Sequence, residues 1–394
     1  MKRSTDRILL SHAGSLHRPD DLRQTMQARR DDDPMDDALK ARIKEAINEV
    51  VRKQVECGVD VVNDGEYTKR SWQSYARGRL SGLDYRQPKP GEVHRGSITA
   101  REETVFPEYF ESLRRGNAPA GTGAGGAGMA GEGIYCVGPL AYTGQEAIQM
   151  DIDFLRDATT GVNGVEEAVL TALAPGTIEH WLRNDYYKTQ EEFLFAIADA
   201  MHDEYKAITD AGFVLQLDDP DLPDGFQVHP ELSVEEYRKW ADLRVEALNH
   251  SIRDCPESQV RLHICWGSSH HPHTQDLPLK DLIDIVYKVK AECYSIEAAN
   301  PQHEHEWAVF EDYPLPDGKS LMPGVLGHCA REFVEHPELV AQRLIRYANV
   351  VGKENVIAGT DCGLQRAAHS TIMWAKFKAG AEGCEIATKK LWGR

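Results

Sequence analysis

The 394-residue sequence predicts an α/β fold, a (β/α)8 TIM barrel with an inserted excursion near residues 85–133. Two observations predict it. Short apolar runs recur along the chain and end in polar or small residues, and most are followed by segments of helical spacing. Strand and helix alternating about eight times means parallel βαβ units. A doubly wound sheet and a barrel both satisfy that alternation, and the strand count favours the barrel.

The candidate strands cover residues 7–16, 59–66, 134–139, 169–175, 213–220, 260–267, 293–300, 321–328 and 355–363. That is one more than a barrel needs, so one of them forms an extra hairpin or loop. Residues 191–211 place apolar side chains at 193, 194, 196, 197, 201, 205 and 208, the stripe of an amphipathic helix. Residues 37–57 and 337–351 read likewise. Gly58, Gly212 and Gly352 close these helices, where a glycine cap belongs. Residues 85–133 are too long for a simple connection. Their end, 116–133, is Gly/Ala-rich, and no Lys-Ser/Thr pair follows to make it a phosphate loop. It reads as a flexible linker, or else a lid, within a single domain spanning residues 1–394.

Hydrophobic residues at 41% and charged residues at 27% exclude a disordered chain and a disulfide-stapled miniprotein. Lys plus Arg number 45 against 63 Asp plus Glu, and the resulting charge of −18 is unsuited to phosphate backbones. No nucleic-acid partner is expected. No apolar stretch approaches 18 residues, so no membrane span is expected either. Ile8, Leu9 and Leu10 are followed at once by Ser11 and His12, which does not make a signal peptide. The eight cysteines have no framework spacing and are expected to be reduced, in a cytoplasmic protein.

The strongest local signal is Arg261-Leu-His-Ile-Cys-Trp-Gly267. His263 and Cys265 are two apart on a predicted strand, so both face the same side. An imidazole beside a thiol suits zinc. Glu297 stands at the mouth of the next strand and Cys362 at the end of the last. Burying an unpaired Glu is expensive, so Glu297 wants a partner or a cation. Neighbouring strands would bring His263, Cys265, Glu297 and Cys362 around one ion. The alternative is a buried thiol pair with a hydrogen-bonded Glu. Cys57, Cys293 and Cys329 read as small core residues. The loop from Ser269 to His273 holds three histidines and reads either as a competing metal site or as a solvated loop, and the segment from Gln302 to Trp307 as another polar loop.

Two further strand ends, Asn63 to Glu66 and Leu215 to Pro220, finish in carboxylates that would share a proton or bind a cation such as an amine. Residues Ser11 to Ser15 end the first strand with small groups and backbone donors that would hold a carboxylate. Together the three ends would bind an amino acid zwitterion. The plainer reading makes Asp64 and Asp219 helix N-caps.

In order along the chain, Ala13-Gly-Ser15, Asp64-Gly-Glu66, Ala174-Pro-Gly-Thr177, Leu217-Asp-Asp-Pro220, the His263-x-Cys265 strand, the Ser295-Ile-Glu297 strand, Pro323-Gly-Val325 and Asp361-Cys-Gly-Leu364 resemble the catalytic half of cobalamin-independent methionine synthase. The resemblance runs from about residue 8 to 366. It implies a (β/α)8 barrel with catalytic Zn2+ held by His263, Cys265, Glu297 and Cys362. It implies amino acid contacts at Ser15, Glu66 and Asp218 and a catalytic histidine at His328. It also implies a zinc-dependent transfer of a methyl group to a small thiol, most simply homocysteine. The donor would be methyltetrahydrofolate or a methylated corrinoid protein. The family's Asp-Glu-Pro-Ala reads Asp218-Asp-Pro-Asp221 here, and 394 residues hold one barrel where the classical enzyme has two. Single-barrel relatives include epoxyalkane:coenzyme M transferase. Thiol alkylation of that kind is the alternative, with Arg18, Lys69, Arg70 and Arg183 as candidate sulfonate partners. A zinc hydrolase or lyase ranks lower, because two sulfur ligands leave zinc less Lewis-acidic. A non-catalytic barrel ranks lower too, because every expected ligand is present.

Overall fold

The computed structural model describes residues 1–30, 32–72, 74–89, 92, 97–115, 133–267 and 271–393. The expected flexible segment lies outside these residues, apart from Gly133. In chain order the strands are β1 (Val61–Asn63), β2 (Leu83–Arg86), β3 (Gly133–Cys136), β4 (Glu167–Leu173), β5 (Arg183–Asn184), β6 (Val214–Asp218), β7 (Val260–Ile264), β8 (Cys293–Ile296), β9 (Ser320–Leu326) and β10 (Gly359–Thr360). Seven form one sheet in the order β1-β4-β6-β7-β8-β9-β10, every neighbouring pair parallel.

Residues 9–11 close this sheet into a ring. On one side the Ser11 N–H donates to Ala358 O and the Ala358 N–H to Leu9 O, both at 2.8 Å. On the other, the N–H groups of Asp60 and Val61 donate to Leu10 O at 2.9 and 3.1 Å. A parallel bridge pairs Leu10 with Ala358. The first predicted strand is therefore the eighth stave of the barrel. The surplus candidate is residues 134–139: β3 leaves the barrel and pairs antiparallel with β2 and parallel with β5.

Helices sit where the apolar spacing puts them. Asp37–Glu56 buries Ile43, Ile47, Val50 and Val51, one stripe of a 3.6-residue period. Its Asp36 cap accepts from the Leu39 N–H at 2.8 Å, and Thr189 does the same for Gln190–Asp210. Val234–Ser251 opens with a full capping box from Ser233 and Glu236. Gly58, Gly212 and Gly352 all take positive φ after their helices, conformations that a side chain would strain. No helix among the described residues is long and apolar enough to cross a membrane.

The ring has two ends of different chemistry. Alternate strand positions share a face, and on the site-bearing face they change character along each strand. At the N-terminal ends stand Leu9, Cys293, Met322 and Ile357 in one apolar cluster and Val61, Val169 and Val214 in another, with Met1 packed against both. Two to four residues further along, the same faces carry Ser11, Asn63, Thr171, Gln216, Asp218, His263, Ser295 and Glu297, all buried. Arg261 lies between the halves. Its guanidinium donates to Gln216 Oε1 (2.7 Å), Ser11 Oγ (2.9 Å) and His12 O (3.1 Å). The apolar floor fixes the strands, and Asp218, His263 and Glu297 gather above it toward the C-terminal mouth.

Candidate metal centre and substrate pocket

His263, Cys265 and Cys362 converge at that mouth. One ligand atom from each lies within 4.8 Å of the others. The β7 alternation brings His263 and Cys265 to one side, and Cys362 follows two residues after the end of β10. His263 is paired in register with Ser295 on β8, and its Nδ1 lies 3.0 Å from Ser295 Oγ. That contact fixes the ring and leaves Nε2 buried with no hydrogen-bond partner. A buried ring nitrogen with no partner is costly unless a ligand takes it. The Cys265 thiol, donating toward Cys362, holds Cys362 well below the usual thiol range, and His263 and His328 add to this. The same hydrogen bond, with burial, pushes Cys265 well up. Burial opposes protonation of His263, but Cys362 and Asp218 outweigh it and raise the ring's pKa. Two sulfurs and one open imidazole nitrogen form an N,S,S donor set that fits a zinc-class ion.

Glu297 stands beside this trio. Its carboxylate belongs to a second group with His328 and Cys329, whose ligand atoms also lie within 4.8 Å of one another. Glu297 Oε2 accepts from the Trp266 N–H at 2.9 Å, and Oε1 from Asn300 Nδ2 at 3.0 Å. His328 Nδ1 is 3.8 Å from Glu297 Oε1, with both side chains fully buried. His328 Nε2 lies 3.2 Å from Cys329 Sγ. Cys329 is thus a mouth residue, half-buried, while Cys57 and Cys293 are core thiols as expected.

The three strand ends expected to meet an amino acid also come together. Glu66 has φ +61°, a left-handed backbone that is strained for a residue with a side chain. The bend aims its carboxylate at the end of the first strand, where a Cβ on Gly14 would sit 2.6 Å from Oε1. Glu66 Oε1 accepts from Thr171 Oγ1 at 3.0 Å, and Thr171 accepts from Lys69 Nζ at 2.8 Å. Asp218 Oδ1 accepts from Gln216 Nε2 at 2.6 Å, which is polarised in turn by Arg261. Burial lifts Asp218 to about 7; His263 opposes this and Glu66 adds to it. Ser15 is buried against the Cys362 loop, its carbonyl accepting from the Gln365 N–H at 3.0 Å. Asp64 caps no helix: its Oδ1 accepts from the Glu66 N–H at 2.9 Å and so braces the bend. Asp219 does not cap the Asp221–Val228 helix, where Pro220 holds the cap position.

Sequence reasoning missed the residues that hold these groups. Ser295 was findable, since it shares a strand face with Glu297. Asp361 was not: its Oδ1 accepts from the N–H groups of Ala298 (2.7 Å) and Ala299 (2.8 Å), tying the Cys362 strand to the Glu297 loop. Of the basic candidates, Arg18 donates to the carbonyls of Glu66 (2.6 Å) and Lys69 (2.5 Å), and Arg183 to Tyr135 Oη (2.5 Å) in the small sheet.

The protein family described as cobalamin-independent synthase, catalytic domain, matches residues 142–379, more than half of the chain. The chain belongs to this family. A methionine synthase of Sulfolobus acidocaldarius is 26% identical over 278 residues, 70% of this chain and 66% of the relative. A methionine synthase of Saccharolobus islandicus strain L.S.2.15 is 22% identical over 381 residues, 96% of this chain and 94% of the relative. Among solved structures, a B12-independent methionine synthase from Shewanella sp. W3-18-1, in complex with selenomethionine, superposes with a TM-score of 0.71 at 20% identity. That match covers 98% of this chain and all of the Shewanella chain, and it shows the shared barrel fold.

Proposed function

We propose that this member of the family is a zinc-dependent enzyme that transfers a methyl group to the sulfur of homocysteine, giving methionine. The observation that carries the reading is the meeting of His263, Cys265 and Cys362 at one point, with His263 Nε2 buried and unpartnered. The names of the relatives, all methionine synthases, support the substrate. His263, Cys265 and Cys362 would hold the zinc, with Glu297 beside them as the fourth donor, an oxygen. Zinc bound there supplies the positive charge that keeps a substrate thiol deprotonated at neutral pH.

The chain's own groups do the rest. Glu66 and Asp218 accept the ammonium group of the amino acid, and Ser15 with the backbone beside it donates to the carboxylate. The surroundings favour an ammonium over a sulfonate: Asp64, Glu66, Asp218 and Asp219 are all buried at the pocket. Lys69 is committed to Thr171, and Arg18 to backbone carbonyls. His328, held near Glu297 and facing the trio, donates a proton to the donor's leaving group. The donor is a methylated compound such as methyltetrahydrofolate or a methylcorrinoid protein.

Cobalt(II)-substituted protein tests the reading anaerobically. Homocysteine should intensify the sulfur-to-cobalt absorption saturably, and methionine should form when a methyl donor is added. Cys265→Ser should abolish both. Absorption that responds to coenzyme M and not to homocysteine would overturn the choice of acceptor. Cobalt binding without any sulfur band would overturn the ligand set.

A further inference from the structure

The loop after Cys265 carries a second constellation that thiol methylation does not use. One ligand atom each from His271, His273 and Asp276 lies within 4.8 Å of the others. The sequence left this loop open between a solvated segment and a metal site. The structure buries its key groups: the His273 and Asp276 side chains are 6% and 2% exposed. Ser269 and His270 lie outside the described residues.

The geometry is built from several directions. The two imidazoles stack with centroids 3.6 Å apart and 26° between planes. The His273 N–H donates to His271 Nδ1 at 3.2 Å, so a cation would meet that ring through Nε2. His273 has φ +59°, a left-handed conformation rare outside glycine, which the surrounding contacts impose. Asp276 Oδ2 lies 2.6 Å from His273 Nδ1 and 3.2 Å from His303 Nε2. His303 Nδ1 lies 2.9 Å from Glu306 Oε2, and the ring stacks on Trp266 at 3.7 Å. Asp276 Oδ1 accepts from Gln227 Nε2 at 3.0 Å. From the excursion, buried Glu102 accepts from the Gln275 N–H at 2.6 Å and from Thr274 Oγ1 at 3.1 Å. Three segments therefore hold the loop in place before any ligand arrives.

Carboxylates gather around the loop, and the His303 ring, raised to about 9 against burial by Asp276 and Glu306, offsets only part of their charge. Asp276, Glu306, Asp224 and Glu297 are carboxylates buried within one region, and Asp224 feels both Asp276 and Glu297. Concentrated buried negative charge is expensive unless paired or metal-bound. Two imidazoles and a carboxylate make the N2O set that divalent ions of the zinc class take when positions remain open. The His303–Glu306 pair behind Asp276 has the form of a second layer that orients a ligating carboxylate. We propose that His271, His273 and Asp276 form a second divalent-cation site on the β7 loop at the barrel mouth.

The test uses full-length protein stripped of metal, reloaded with cobalt(II), washed and assayed for bound metal and absorption. The wild type should hold two ions per chain. His271→Gln and Asp276→Asn should each hold one and keep the intense sulfur-to-cobalt band. A Cys265→Ser/Cys362→Ser variant should hold one ion without that band. In that variant, metal should slow hydrogen exchange of residues 271–277 at least several-fold. His271 is only half-buried, so His271→Gln reports even where Asp276→Asn fails to fold. The proposal falls if His271→Gln binds as much cobalt as the wild type, or if the double-cysteine variant binds none. A wild type holding one ion without a sulfur band, lost in His271→Gln, would keep this site and remove the sulfur-ligated one.

Discussion

Replacing Gly14 by Ala tests the substrate pocket by crowding the Glu66 carboxylate. The new methyl would lie 2.6 Å from Glu66 Oε1, whereas ordinary contact begins near 3.4 Å, so the carboxylate must retreat by 3.4 − 2.6 = 0.8 Å. Its 3.0 Å bond from Thr171 Oγ1 fixes the present position, and the retreat stretches that bond. A charge-assisted bond to the substrate ammonium is worth about 1.5–3 kcal/mol. Losing it lowers kcat/KM for homocysteine by about 10- to 150-fold. The substitution also forces a side chain onto φ +149°, costing about 1–3 kcal/mol of stability. Thermal melting and metal content therefore accompany the rates. The discriminating assay compares homocysteine with its des-amino analogue, 4-mercaptobutyrate. The wild type should favour homocysteine, and Gly14→Ala should narrow that preference to within a few-fold. An equal loss for both thiols, or a kcat/KM within twofold of wild type in a folded, metal-replete variant, would refute the assignment of Glu66 to the ammonium group.

Three other outcomes follow from buried charge. Arg79 donates to Asp151 Oδ2 at 2.6 Å and Glu204 Oε2 at 2.9 Å, all three side chains at most 6% exposed. Arg79→Met leaves both carboxylates uncompensated and should cost about 3–5 kcal/mol in urea unfolding, and a loss under about 1 kcal/mol would contradict the pairing. Burial raises Asp64 to about 6, against Lys69, which opposes it. The folded state thus binds this proton more tightly than the unfolded chain. The associated stability is complete below about pH 3.8 and disappears as pH rises through 6, a difference of at most about 3 kcal/mol. Asp64→Asn should therefore raise the melting temperature relative to wild type at pH 7.5 and not at pH 4. Cys362 is held well below the usual thiol range, chiefly by the hydrogen bond from Cys265. Iodoacetamide at pH 7 should modify it before the buried thiols Cys57, Cys293 and Cys384, and added zinc should suppress the reaction; mass spectrometry reads both.

The barrel was legible because its signals are periodic. Apolar runs closed by polar residues marked all eight staves, including residues 9–11, which regular strand geometry alone describes as little more than a bridge. What periodicity does not carry is destination. Residues 134–139 have the same pattern as a barrel stave, yet β3 pairs with β2 and β5 because the chain on either side belongs to the excursion. Alternation says which face a residue takes, and only tertiary pairing says which sheet owns that face.

The same distinction explains the site. His263 and Cys265 were readable because two reactive side chains on one strand face need no knowledge of the neighbours. The groups that aim them are ordinary residues or backbone atoms: Ser295 on His263, Thr171 on Glu66, the Trp266 N–H on Glu297, and Asp361 on the N–H groups of Ala298 and Ala299. A backbone donor leaves no mark in the sequence, and a serine or threonine carries no chemistry until its partner is known. The His271–His273 loop is the converse case. Its residue types were conspicuous, but an imidazole-rich turn in water and a preorganised ligand set have the same letters. Burial of Asp276 between His273 and His303, and the seat provided by Glu102 from 172 residues earlier in the chain, are what separate them. Reactive groups are thus legible one strand at a time, whereas their preorganisation exists only once distant segments have met.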